Sequence, residues 1–326
     1  MRIGALAALV PLTMLIGIAF GGAALAPGVL WNALAHPSAG GDAATIIWQL
    51  RIPRVAIAAT VGATLALAGV LLQSLLRNPI VDPYLTGVSS GAGASIAIAA
   101  TAGVAPALVP PLGFVSGLAT AILVAVLARR GPRLDAERLV LAGVSLSALL
   151  SAFVTLALER LARGTASEAI LAWLAGSLAG RGWADLGAAA PEAILGVVIG
   201  VATIPSLNVL RLGEGRAAAL GVDVTRLQWA LLVAATLLTA AAVALAGLVG
   251  FVGLVVPHLA RRVVGPDLRA LVPASVLAGA SLVVLADTFA RTLAAPAEIP
   301  LGVLLAFVGV PTFLVLYLRG AARAYA

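Results

Sequence analysis

The sequence predicts an all-α polytopic membrane protein: ten transmembrane helices in an inverted five-helix repeat, with both termini in the cytoplasm. Three observations predict it. Hydrophobic residues make up 62% of the chain and charged residues only 10%, where a soluble domain carries about a quarter charged. Uncharged runs recur at the length of about 20 apolar residues that a helix needs to cross roughly 30 Å of hydrocarbon. Barrel strands would instead alternate in polarity over about ten residues. Finally, the chain has no lysine, so all 20 basic residues are arginine, and these divide unequally between the two sides of the proposed membrane.

The run 3–41 holds the first span and an outside loop. Its start could be read as a signal peptide ending at Ala24, Leu25 and Ala26, but the apolar stretch is longer than a usual signal core. The run 55–76 is the second span, and 84–128 is long enough for two, broken near 103–111. Run 139–158 gives the fifth span and 193–210 the sixth, while 227–260 holds two, broken near 246–253. Runs 270–286 and 299–318 complete the ten. Between the fifth and sixth spans, 159–183 is amphipathic, with Ile170, Leu171, Trp173, Leu174 and Leu178 spaced for one helical face. It predicts a short gating helix at the outer mouth.

With a cytoplasmic N-terminus, the inside segments hold Arg2, Arg77, Arg129, Arg130, Arg133, Arg138, Arg211, Arg216, Arg226, Arg261, Arg262, Arg269, Arg319 and Arg323. Only Arg51, Arg54, Arg160, Arg163, Arg181 and Arg291 fall outside, as the positive-inside rule requires. The net charge of +7 is therefore topology, and nucleic acid is no expected partner. An A-x-A-G start, an apolar run and a Pro-bearing basic turn recur in 65–83 and 243–267, the signature of inverted halves, near 1–180 and 181–326 of a single permease domain 1–326.

Absent residues exclude chemistries. No cysteine means no disulfide, thiolate metal site or cysteine nucleophile. No lysine means no Walker A loop, so any ATPase must be another polypeptide. A proton-coupled carrier needs a carboxylate in mid-membrane; Asp287 and Glu192 lie nearest a span, and both read as interface or capping residues. His258 reads as structural rather than as a metal or haem ligand, since the one other histidine, His36, is in an outside loop. No metal site is expected.

Four ordered stretches resemble one family: "RIPRVAIAATVGATLALAGVLLQSLLRNPIVDPYLTGVSSGAG" (51–93), "EGRAAALGVD" (214–223), "GFVGLVVPHLARRVVGPDLRALVPASVLAGASLVVLADTFAR" (250–291) and "EIPLGVLLAFVGVP" (298–311). They are similar to the FecCD permeases of ATP-binding-cassette importers for siderophores, haem and vitamin B12. The resemblance implies a non-enzymatic permease subunit in the inner (cytoplasmic) membrane and a homodimer surrounded by lipid. It implies two cytoplasmic ATPase subunits that carry the ATP and magnesium, and a periplasmic binding protein. Among cargoes it ranks haem first, a ferric siderophore second and cobalamin third.

It also assigns roles. Arg51, Arg54 and Arg291 match arginines that receive glutamates of the binding protein, a task suited to the planar guanidinium fork. Residues 211–228 read as short helices broken at Gly221, and by resemblance they form the ATPase coupling element. Its core is Ala219, Leu220 and Gly221, and its rim is Arg211, Glu214 and Arg216. A pathway between the third and fifth spans, with its constriction near Leu85, Thr86, Gly143 and Val144, would take weakly polar walls from Ser89 and Ser90.

Overall fold

The computed structural model describes residues 2–37, 41–105, 108–131, 133–160 and 165–324. The chain begins with α1 (Arg2–Ala19) and the short α2 (Pro27–Ala35). Helix α3 (Asp42–Thr45) runs through a π-helical turn, Ile46–Arg51, into α4 (Ile52–Leu75). A 3-10 turn at Pro83–Thr86 precedes α5 (Val88–Thr101) and α6 (Val109–Leu127). A two-residue hairpin, β1 (Arg129–Arg130) and β2 (Arg133–Leu134), pairs Arg129 with Leu134 and leads to α7 (Ala136–Arg160) and α8 (Thr165–Ala175). Then follow α9 (Trp183–Ala202), α10 (Ile204–Leu210), α11 (Glu214–Ala219), α12 (Val224–Ala246), α13 (Val252–Val264), α14 (Leu268–Thr292) and α15 (Leu301–Ala324).

Helix α4 is the axis of the bundle. Its sequence is small and apolar all round, which suits a helix buried on every side, and Val55, Ile57, Val61, Leu65, Leu71 and Leu72 are all buried. It packs mainly against α14, α12 and α13. Two glycine crossings set the spacing, because a Cβ on Gly62 would lie 2.0 Å from the Gly279 carbonyl oxygen and one on Gly69 2.0 Å from that of Gly253. Close backbone approach through small residues is the usual packing mode of membrane helices. By contrast α7 and α9 leave apolar faces exposed, including Leu141, Leu149, Phe153, Ile194 and Val198.

Among the described residues, five helical segments are long and apolar enough to cross a membrane: Asp42–Leu75, Glu137–Arg160, Trp183–Ala202, Val224–Ala246 and Leu268–Thr292. Helices α1, α5, α6, α13 and α15 occupy the other expected positions. Helix α13 has only 13 residues and carries Arg261 and Arg262, so by itself it falls short of the length a span needs.

The expected break at 246–253 is real: Gly247 and Phe251 both have positive φ, +69° and +68°, and the chain leaves the helix between them. The break at 103–111 lies between α5 and α6.

Three expectations need correction. The helix expected over 193–210 is α9 at 183–202, because Pro205 at the start of α10 forces a helix break at Thr203. The loop after the first span contains a helix, α2. The two A-x-A-G echoes adopt different structures: Ala66–Gly69 continues inside α4, whereas Ala244–Gly247 ends α12.

Candidate functional site

The three arginines expected at the outer face do gather at one end of α4 and α14, but in different roles. Arg51 is 4% exposed and donates to the carbonyls of Ile18 (2.8 Å), Ala19 (2.9 Å) and Ala23. These are at or just past the C-terminus of α1, where helix carbonyls lack internal partners and a cation is favoured. Arg291, also 4% exposed, donates to the Gly17 carbonyl and lies 3.3 Å from Asp287. A Cβ on Gly21 would stand 3.1 Å from both guanidinium groups, so the chain passes them there as glycine. Arg51 and Arg291, expected with Arg54 to dock a binding protein, are buried here and clamp α1 to the bundle.

Arg54 is different. Its Nε and Nη2 donate to the buried carboxylate of Asp287 (Nε–Oδ1 3.0 Å, Nη2–Oδ1 2.8 Å), and its Nη1 and Nη2 donate to Glu298 at 2.9 Å each. Asp287, expected only as an interface or capping residue, is the counter-ion of Arg54 and Arg291. Glu298, in the loop before α15, is the outermost member, and Arg54 holds its carboxyl below the usual carboxylate range. Glu192 is half-buried within α9 and has no ion pair among the described residues.

Four of the six expected pathway residues line one cavity of about 500 Å³ between α5, α7 and the 3-10 turn. Leu85, Ser89, Ser90 and Val144 share it with Tyr84, Ser147, Ser151, Thr155, Leu174 and Leu248. Ser90 and Ser147 hydroxyls meet at 2.8 Å. The other two lie off the cavity wall beside Leu85: the Thr86 hydroxyl is buried and donates to Pro83 O at 2.8 Å, and a Cβ on Gly143 would lie 1.8 Å from Leu85 O. Tyr84 closes one edge, its hydroxyl donating to Val249 O at 3.0 Å and accepting from Val249 N–H at 2.9 Å, which satisfies backbone freed by the break after α12. Asp82 accepts from Tyr84 N–H at 2.9 Å, and burial pushes its carboxyl up to about 6. Of the expected gating face, Ile170 and Leu178 are buried and Leu174 lines the cavity, but Leu171 is exposed and the helix ends at Ala175. Arg163 lies outside the described residues.

At the opposite end, α11 closes in a turn that fits Gly221 (φ +84°), with Val222 N–H on Ala217 O at 3.0 Å. Asp223 caps α12 by accepting from Arg226 N–H at 3.0 Å. Ala219 and Gly221 are exposed and Leu220 is 67% exposed, an apolar knob without an internal partner in the core. Arg211 and Glu214, expected at the rim, also brace the segment from within the chain. Arg211 donates to Pro266 O; Glu214 pairs with Arg133 at 3.4 Å and accepts from the buried Gln228 at 3.3 Å. Gln228 also accepts from Leu134 N–H at 3.1 Å, tying the hairpin to the same frame. Arg216 stays exposed.

Sequence reasoning passed over Gln73, whose amide donates to Gly253 O (3.1 Å) and Leu254 O (3.2 Å) while its oxygen accepts from Arg261 at 3.3 Å. Among the described residues no three His, Asp or Glu converge as a metal site.

Comparison with known proteins decides the family, since the model of the FecCD transport family matches residues 9–319. The chain belongs to the FecCD transport family. Among its relatives, the cobalamin import system permease protein BtuC of Halobacterium salinarum is 42% identical over 84% of this chain and 73% of that protein. The hemin transport system permease protein HmuU of Yersinia pestis is 39% identical over 89% and 87%. The Fe(3+) dicitrate transport system permease protein FecD of Escherichia coli is 38% identical over 95% and 99%. These FecCD relatives carry three kinds of cargo in their names at nearly equal identity, so similarity does not rank haem first. A solved structure described as an inward-facing conformation of a metal-chelate type ABC transporter superposes with a TM-score of 0.86, at 34% identity over 97% of this chain and 98% of the other.

Proposed function

We propose that this chain is the membrane permease subunit of an ATP-driven importer that moves a rigid chelate such as haem, a ferric siderophore or cobalamin from the periplasm to the cytoplasm. The observation that carries the reading is the family match over 9–319. The hydroxyl-lined cavity between α5 and α7 gives it a physical route. Its walls mix aliphatic and hydroxyl groups with no carboxylate, histidine or arginine, so an amphipathic cargo meets weak contacts and slides instead of being held.

The ten apolar helices cross the inner membrane as one domain with both termini in the cytoplasm, and two copies pair so that their cavities face a shared axis. The chain lacks lysine and so a Walker A loop, and two separate ATPase subunits hold ATP and magnesium. They dock on Ala219, Leu220 and Gly221, with Arg216 at the rim and Arg211 and Glu214 bracing the segment from behind. Arg54 is the docking arginine for a periplasmic binding protein. Leu85, Thr86, Gly143 and Val144 narrow the pathway, with Gly143 packed against the Leu85 backbone.

Haem is the first cargo to test. Cobalamin is the second reading, favoured by the relative named for cobalamin import at 42% identity. Co-purification from a membrane in which the chain is produced with the ATPase of its own transport system tests the assembly. Two chains and two ATPases in one particle are expected, and a chain that stays alone would contradict it.

A further inference from the structure

We propose that Glu298 is a latch: it fills the Arg54 site until a carboxylate of the arriving binding protein displaces it, and its release is passed to the end of α8. The proposal deepens the docking reading of Arg54 and rests on it.

A guanidinium has five N–H donors in a fixed fork. In Arg54 two donor directions face Asp287 and two face Glu298, so both carboxylate-binding edges are taken. The two acids are not equivalent. The Asp287 side chain is 1% exposed and cannot be reached, whereas that of Glu298 is 37% exposed. A partner's carboxylate therefore pairs bidentately with Arg54 through the place that Glu298 occupies. Exchanging one carboxylate for another keeps Arg54 compensated throughout, so the swap avoids the penalty of a buried unpaired charge.

The residues after Glu298 lead to the gate. Ile299 N–H donates to Ala290 O at 2.9 Å and Leu301 N–H to Gly176 O at 2.8 Å, just past the end of α8. Gly302 is wedged so tightly that a Cβ would lie 2.4 Å from Leu248 O and 2.5 Å from Ala175 O. Leu174 and Leu248 both line the hydroxyl-lined cavity. Movement of Glu298 thus acts through four residues of chain on the wall of the pathway.

The test uses the complex of this chain with its ATPase in nanodiscs and the exported binding protein of the same transport system. Glu298→Gln keeps the shape and removes the charge. It is expected to tighten binding-protein association about fivefold, the order of one partly exposed ion pair, because the competitor for Arg54 is gone. A merely structural glutamate would give weaker or unchanged binding. Glu298→Asp, a milder change, is expected to shift affinity in the same direction to a smaller extent, and serves if the glutamine variant does not fold. The native chain contains no cysteine, so spin labels on Ala179→Cys and Ala297→Cys report only the distance between the two loops. That distance is expected to change when the binding protein is added, and to be already changed in Glu298→Gln without it. Weaker or unchanged association in Glu298→Gln, with Arg54→Gln losing it, would overturn the latch and leave the docking reading intact. Unaltered association in Arg54→Gln would overturn both.

Discussion

Replacing Asp287 by asparagine removes one negative charge and almost no volume, which makes it a clean probe of the outer cluster. The Asp287 side chain is 1% exposed and faces Arg54 at 2.8 Å and Arg291 at 3.3 Å. Arg54 keeps Glu298 in the variant, but Arg291, 4% exposed, loses its one ion pair among the described residues. Removing one partner of a buried pair costs about 3 to 5 kcal/mol, and the retained amide oxygen places this case near the low end, about 3 kcal/mol. With about 2.1 cal/mol/K of unfolding entropy per residue, 326 residues give about 0.7 kcal/mol/K, so the melting temperature should fall by about 4 °C. Helices that survive unfolding in detergent lower that entropy, which makes the figure a floor. The assay is thermal unfolding of the purified chain followed by tryptophan fluorescence, with substrate uptake measured on the same variant. An unchanged melting temperature would refute the assignment of Asp287 as the buried counter-ion of Arg291, whatever the uptake.

Other outcomes follow from the same structure. Gly69→Ala drives a methyl into the Gly253 carbonyl, 2.0 Å away, and is expected to destabilise by about 2 to 3 kcal/mol in the same melt, while Gly4→Ala, with no atom within 4 Å, should be neutral. Leu220→Glu changes an exposed knob, so stability should stay within about 0.5 kcal/mol while ATPase association in a pull-down is lost; retained association would contradict the coupling role. Asp82 carries a carboxyl raised from 3.8 to about 6, so the folded state binds the proton more tightly than the unfolded chain does. Stability therefore falls as pH rises through that window. Asp82→Asn should flatten the melting profile between those two values, and an unchanged slope would count against the assignment.

Much of this was legible in the sequence because helix length and apolarity are local properties. The runs at 139–158 and 270–286 fall inside α7 and α14, the run at 55–76 ends one residue past α4, and the break at 246–253 was marked by its glycines. Counting uncharged runs misplaced α9, since its first half contains Asp185 and Glu192 and the helix tolerates both. Four of the six expected pathway residues share their cavity with Ser147, Ser151 and Thr155, which recur every four positions on one face of α7, a pattern that the sequence reading left unused. The arginine cluster could not be read. Arg291 meets Gly17 from 274 residues away and Arg54 meets Glu298 from 244 away, and no local pattern distinguishes a buried clamp from an exposed docking group. Glu298 lay inside a quoted motif, yet its pairing emerges only when α4 and the loop before α15 are brought together.

Uptake into proteoliposomes tests the central claim most directly. The chain is reconstituted with its ATPase, ATP is enclosed on the ATPase side, and the binding protein outside is loaded in turn with haem, a ferric siderophore or cobalamin. Accumulation of at least one of these chelates, requiring both ATP and the binding protein, is the predicted result. An assembled complex that hydrolyses ATP and accumulates none of them, or uptake that follows a proton gradient without ATP, would contradict the account.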